Sequence, residues 1–569
     1  MRRTTKSPSF LALFSLVLLS GCGQKTAAPD PVSQELRSIL SGAVYQTVVI
    51  AGNDSLFSPE WVQQFYKDRE YRPAWSIEKS VTSDADSLVA AIKESGAEGL
   101  TPQDYHLRTI DSIYRELQPG YTGRETTAPS LWVGLDLMLT DAFLIYACHL
   151  AEGKIDRASL EARCAVEKNG ARYDSLLEAS LQSHTIKQVL RSLLPQHPLY
   201  TGLKEMLASF EGLAKKGGWR SVPVGAPIKA GDSGTRVFAL RNRLWTTGDL
   251  SARTGWHTDE FDSTLADDLR AFQKRHGLEP TGIADSATIV ALNVPVDKRI
   301  EQIKINLERW RWMPHDLGRK HIRVNIPDFR LVVEEAGKQT MTMRVVLGFA
   351  AWQTPVFSSA MSHVLFNVHW ISPDDILSKE LINYMKADSN YLRSNNMSLW
   401  RRKGDSLQQV DPHTINIKEL DPKDIDFFLR QEAGPQNIMG QVKFLVPNEH
   451  SIYLHDTPYR EDFPKYVRMF SHGCIRLEKP LDLAEYVLRE FPTWDRERID
   501  TIVARRVEQS LLLKHPIPVH VVYCTVWKEQ SGSVNFRQDY YGLDRRLGNS
   551  QLARIAPLSG ARSEQPKAQ

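Results

Sequence analysis

Cysteine is scarce: five residues in 569. No two stand in the short Cys-x-x-Cys spacing typical of structural zinc sites. Net charge is almost absent, 71 Lys+Arg against 68 Asp+Glu giving +3. That balance does not indicate a basic nucleic-acid-binding surface and lends no strong support to binding of an anionic polymer. The apolar run at the N-terminus, Phe10 to Leu19, is too short for a membrane span. The remaining bulk figures, 42% hydrophobic and 24% charged, are those of ordinary globular domains, and the length predicts two to four of them.

Arg2, Arg3 and Lys6 precede the apolar run, and Leu19-Ser20-Gly21-Cys22 closes it with small residues before a cysteine. The segment resembles a bacterial lipoprotein signal with its lipobox. The resemblance implies cleavage after residue 21 and lipidation of Cys22; a plain secretory signal with an incidental cysteine is the alternative. Either way the chain is exported. Gly23 follows Cys22 rather than the aspartate linked to inner-membrane retention, so outer-membrane anchoring is expected in a Gram-negative cell. Residues 22–35 are polar and aperiodic, a tether. Cys148 and Cys164 are candidates to pair in an oxidising compartment, and Cys524 reads as a buried small hydrophobe in a β-rich run.

Residues 36–228 read as a helical domain. Leu131, Leu135, Met138, Ala142, Phe143, Tyr146 and Leu150 follow helical spacing, with Gly153 as a stop, which predicts core packing. Residues 216–228, rich in Gly and Pro, close this region as a linker. A compact module over 229–293 has apolar faces at Val237, Leu240 and Leu244 and at Phe261, Leu265, Leu269 and Phe272, with Asp285 as N-cap of a third helix. In Phe272-Gln273, His276-Gly277-Leu278, Gly282-Ile283-Ala284-Asp285 and Ala291-Leu292-Asn293 it resembles the peptidoglycan-binding-domain-1 family, which implies a wall glycopeptide ligand; a small bundle that binds nothing is the alternative. A linker helix over 294–319 leads to alternating strand patterns at 321–326, 341–346, 364–370, 442–446 and 452–455. Between them, residues 372–440 read as a polar, helical insertion, a lid within a β domain spanning 320–546. Residues 547–569 form a polar tail.

The chemistry concentrates at His455 and, sixteen residues further, Ser471-His472-Gly473-Cys474-Ile475-Arg476. A thiolate is a strong nucleophile and imidazole takes a proton near neutral pH, so a cysteine and a histidine delivered by adjacent strands suit acyl transfer through a thioester. Gly473 permits unusual dihedrals beside the nucleophile. The N–H groups of His472, Gly473 and Cys474 are candidate oxyanion donors. Residues 476–486 read as a turn and a helix. His455, His472 and Cys474 as metal ligands is a rival reading, but no second ligand pair accompanies them, so no metal and no cofactor are assigned.

His455 with the Ser-His-Gly-Cys-Ile-Arg segment, flanked by Thr354-Pro355-Val356-Phe357 and Val442-Lys443-Phe444-Leu445-Val446-Pro447-Asn448, resembles the L,D-transpeptidases of the YkuD type. The helical first part, the wall-binding module and Trp310-Arg311-Trp312-Met313-Pro314 resemble its large multidomain, YcbB-like branch. The resemblance implies a multidomain α+β protein: helical scaffold, three-helix wall-binding module and mainly β catalytic domain with a helical lid. It implies Cys474 as nucleophile, His455 as general base and acid, Gly473 and His472 in the oxyanion loop, and Arg476, Ser471, Asn448 and Tyr453 at the substrate. Ser471 is also expected to anchor its loop. For the group that orients His455, the resemblance favours a backbone carbonyl over the Asp456 carboxylate. The implied reaction is 3→3 cross-linking of peptidoglycan stem peptides, with acylation by carbapenem-type β-lactams and with other wall-synthesis proteins as partners. An L,D-carboxypeptidase and a non-catalytic wall-binding lipoprotein are the alternatives.

Overall fold

The computed structural model describes residues 30–41, 49–50, 54–118, 128–155, 172–251, 254, 257–404, 406–421 and 425–551. The leader, Cys22, most of the tether, Cys164 and most of the polar tail lie outside the described residues. The tether expected to run to residue 35 gives way to helix Pro31–Leu40, because the Asp30 carboxylate accepts from Ser33 N at 3.1 Å and Leu36 and Leu40 are buried. The expected tail also begins late: helix Leu543–Gln551 still buries Leu547.

Helix Pro129–Glu152 is the axis of the N-terminal domain. It is apolar enough to cross a membrane, yet 94% of its most apolar window is buried in the protein, as expected of a core helix packed on every side. Gly153 ends it with φ +90°. Its polar side chains fasten the surrounding loops. Asp136 accepts from Tyr66 Oη at 2.9 Å and Ser76 Oγ at 3.2 Å, and Asp141 accepts from Phe57 N at 2.7 Å and Ser58 N at 2.8 Å. Cys148, on the same helix, is disulfide-bonded, and its partner lies outside the described residues. Cys524 is buried and free, as its β-rich setting implied.

Asp141 also holds His106. Its Oδ2 lies 2.7 Å from Nε2, and Asp54 Oδ2 lies 3.0 Å from Nδ1. Burial opposes the imidazolium, but the two carboxylates outweigh it and lift His106 from 6.5 to about 9. A raised folded-state value stabilises the fold fully below about pH 6.5, and the contribution disappears as pH rises through 9. The difference is on the order of 3 kcal/mol. The melting temperature is therefore expected to fall between pH 6.5 and 9.5, and His106→Gln to flatten that slope.

Helices Thr235–Thr246, Ser263–Arg275 and Ser286–Leu292 enclose a separate core around Leu240, Leu265, Leu269 and Phe272. Asp262 and Asp285 cap the second and third by accepting from Leu265 N and Thr288 N, each at 2.8 Å. Helix Val296–Arg311, expected as a linker, is instead an internal strut. Its Ile303, Leu307 and Trp310 pack with Leu203 and Leu207 of helix Pro198–Lys215 and with Val526 and Phe536.

The β domain is a closed ring of strands. Its order is 338–348, 475–477, 454–455, 442–445, 357–366, 509–522, 320–325 and 330–335, and the last pairs again with 338–348. Strand Met469–Ser471 adds to 338–348 alone. Arg476 and Leu477, read from sequence as the start of a turn, instead belong to strand Ile475–Leu477, because Ile475 and Leu477 enter the core. The strand expected over 364–370 breaks at Asn367, whose φ is +54° and whose amide donates to Ile502 O and Val507 O at 2.8 and 3.2 Å.

The insertion is not simply helical. Helical turns span 374–387 and 391–394, but a four-stranded sheet, in the order 406–410, 397–403, 428–431 and 370–371, carries the rest. Alternating Met397 and Leu399 face Leu429 and the helical residues Leu377, Leu381 and Ile382 across a core of its own.

Candidate active site

Three adjacent strands build the site. Strand 442–445 pairs Lys443 with His455, and strand 454–455 runs parallel to 475–477 with His455 beside Arg476. Val442, Phe444, Leu454, Ile475 and Leu477 point into the barrel core. Alternation therefore sends Lys443, His455 and Arg476, with Cys474 and Tyr453 just before the strands, to the other face. That face lies under the insertion, since Tyr453 packs on the insertion's core.

The Cys474 thiol is free and partly accessible. Burial raises it above its ordinary value, while the backbone N–H and phenol of Tyr453, the Lys443 ammonium and the Arg476 guanidinium pull it back toward ionisation. Burial, with Arg476 and Lys443 nearby, pushes His455 down to about 3. The imidazole is thus neutral across the physiological range, with Nδ1 buried and free of hydrogen bonds. Backbone groups of Asp456 and Met439 favour its protonated form. The Asp456 carboxylate is occupied elsewhere, accepting from Gln441 N at 2.9 Å and Arg460 Nη1 at 3.1 Å.

The loop before Cys474 is held from within. Ser471 Oγ donates to Cys474 O at 2.6 Å and accepts from Gly473 N at 3.2 Å. Gly473, at φ +108°, also has its carbonyl bound by Thr354 Oγ1 at 2.8 Å. The expected Gly473 oxyanion donor is therefore spent on Ser471, leaving the His472 and Cys474 amides from the expected set. Across this loop, a Cβ on Gly348 would collide with the Trp352 carbonyl and come within 3.0 Å of Gly473 Cα.

His472 links the loop to the insertion. Its Nε2 lies 2.8 Å from Glu380 Oε1, and its ring sits edge-on to Phe349 and Trp352, 5.5 Å from each. Arg476 is buried with Nε free of hydrogen bonds, 3.7 Å from Asp462 and over the Tyr459 ring. Asn448, expected at the substrate, is consumed by its own turn. Its amide donates to Val446 O and Ile452 O at 2.6 and 2.7 Å and accepts from His450 N and Ile452 N at 3.0 and 3.2 Å.

The sequence reading missed Lys443. Its ammonium stands 3.6 Å from the centre of the Tyr453 ring, and burial lowers its affinity for a proton while Cys474 raises it. Removing this charge leaves the thiolate less stabilised, so Lys443→Met is expected to move the pH midpoint of Cys474 alkylation up by about 1 unit. Lys443→Arg retains the charge and is expected to stay near wild type. Iodoacetamide rates against pH test both.

Residues 319–507 match the L,D-transpeptidase catalytic domain of the YkuD family, 233–292 match a "Putative peptidoglycan binding domain", and 60–207 match a scaffold domain. The chain thus carries a YkuD-type L,D-transpeptidase domain together with these two companions. A Haemophilus influenzae protein named "Putative L,D-transpeptidase" is 34% identical over 252 residues, 44% of this chain and half the length of that relative. Among solved structures, L,D-transpeptidases from Xylanimonas cellulosilytica and Stackebrandtia nassauensis are each 12% identical over 53% of this chain. They are covered over 99% and 96% of their own lengths, with TM-scores of 0.16 and 0.20. Likenesses at TM-scores this low add nothing to the assignment.

Proposed function

We propose that this protein is a cysteine-dependent peptidoglycan L,D-transpeptidase that forms 3→3 cross-links in the cell envelope. The observation that carries the reading is the strand pairing that sets Lys443, His455 and Arg476 side by side on one face, next to Cys474 and Tyr453. Cys474 Sγ attacks the carbonyl of the penultimate residue of a tetrapeptide stem. His455 takes the thiol proton and delivers it to the leaving D-alanine amine as the C–N bond breaks. The Tyr453 phenol, beside the sulfur, and the Cys474 amide are donors for the oxyanion. Arg476 holds a stem carboxylate with its unengaged guanidinium edge. An amine of a second stem then attacks the thioester, the C–S bond breaks and the thiol is regenerated. His472 and Ser471 position the loop. The insertion covers the acceptor side through Glu380 and His472. The module at 233–292 retains the enzyme on the wall, and lipidated Cys22 anchors it to a membrane.

A turnover assay with a purified disaccharide-tetrapeptide tests the reaction. Cross-linked dimer with free D-alanine is the expected product. A tripeptide monomer as sole product would instead make the protein an L,D-carboxypeptidase.

A further inference from the structure

His321 and Glu334 are directly opposed on neighbouring strands 320–325 and 330–335. His197, the N-cap of helix Pro198–Lys215, reaches them from the helical domain. Glu334 Oε2 lies 3.7 Å from His321 Nε2 and 3.9 Å from His197 Nε2, and the three atoms fall within 4.8 Å of one another.

The hydrogen-bond pattern leaves a gap at His321. His321 Nδ1 faces the Gly318 carbonyl at 2.9 Å and must donate to it. In the neutral ring Nε2 then carries the lone pair. That nitrogen is buried without a hydrogen-bond partner, on a residue only 6% exposed. It points at a carboxylate oxygen, so two acceptors confront each other. A metal cation between them would engage both the unpartnered nitrogen and the carboxylate oxygen. Arg323 does not fill the gap, since it binds the other carboxylate oxygen, Oε1, at 2.8 Å. His520 does not fill it either, its two nitrogens lying 2.9 Å from Ser358 Oγ and 3.0 Å from Leu317 O.

We propose that His197, His321 and Glu334 bind one divalent cation of the zinc class, fastening the helical domain to the barrel. Two imidazole nitrogens and one carboxylate oxygen are a ligand set zinc accepts, with a fourth position left open. Ligands about 2.1 Å from a tetrahedral ion stand roughly 3.4 Å apart, so the two Glu334 contacts, at 3.7 and 3.9 Å, need to close by up to about half an ångström, and the His197–His321 pair, within 4.8 Å, by up to about 1.4 Å. The supporting shell is in place: Gly318 O orients His321, and Arg323 orients Glu334. His197 gives up its 3.2 Å contact from Leu199 N, at a helix end that water can reach. The open position faces a cavity of 1650 Å³ between the domains, lined by these residues and by Arg319 and Lys528. The site is separate from Cys474 and revises the expectation that no metal binds.

The test uses the full chain, stripped with chelator, without tag histidines and carrying Cys474→Ala so that the thiol cannot compete. Zinc is titrated against a chromophoric chelator, and cobalt is added separately for its visible spectrum. The expected result is one zinc per chain, a four- or five-coordinate cobalt spectrum and a higher melting temperature with metal. Glu334→Gln and His197→Gln, which preserve volume, are expected to weaken binding at least tenfold, as is His321→Ala if it folds. Failure to bind zinc stoichiometrically, or binding undiminished in Glu334→Gln and His197→Gln, overturns the proposal.

Discussion

Cys474→Ala is expected to lower kcat/KM for cross-linking by at least about 10⁴-fold, about 5 kcal/mol of transition-state stabilisation, and to abolish any covalent adduct. The loss is this large because the other groups at the site act through the sulfur. Tyr453, Lys443 and Arg476 all favour the ionised form of the thiol, and in the proposed mechanism His455 acts by taking its proton. The fold is expected to survive. Cys474 only borders the barrel core, and its loop is held by Ser471 and Thr354 rather than by the thiol. An unchanged melting temperature with no turnover is the signature; retained turnover would place the nucleophile elsewhere.

His455→Ala is the second large effect, a loss of about 10²- to 10⁴-fold in kcat/KM. Its pH behaviour separates it from Lys443→Met. With His455 pushed down to about 3, the imidazole is uncharged above about pH 4 and exerts no charge on the thiol near neutrality. Removing it is expected to slow acyl transfer while leaving the alkylation midpoint of Cys474 in place. Wild-type kcat/KM is expected to rise with pH as the thiol ionises, with no acid limb from His455 between pH 5 and 8. Such a limb, lost in His455→Ala, would mean an imidazolium–thiolate pair instead.

Much of this was legible in the sequence because it is local. Helical spacing from Leu131 to Leu150 and the caps at Asp262 and Asp285 depend on neighbours within a few residues. The Cys474 loop was legible because Gly473, Ser471 and the thiol are contiguous. What was missed depends on register and long-range closure. Lys443 in an alternating strand reads as a solvated charge, and only its pairing with His455 brings it to Cys474. Its parity, opposite to core-facing Val442 and Phe444, was the one available signal. Asn448 was misread because a family-like segment does not reveal that a side chain closes its own turn. The insertion's sheet is short and two-sided, with few apolar residues to mark a period. Residue 197 is far from 321 and 334 in sequence, so nothing local joins the three.

The most direct test of the central claim is intact-protein mass spectrometry of the wild type and Cys474→Ala after brief incubation with a tetrapeptide-stem muropeptide. The account predicts a wild-type adduct equal to the donor minus D-alanine, chased by added acceptor into cross-linked dimer, and no adduct on the variant. An adduct of equal yield on Cys474→Ala, or dimer formation without Cys474, would contradict it.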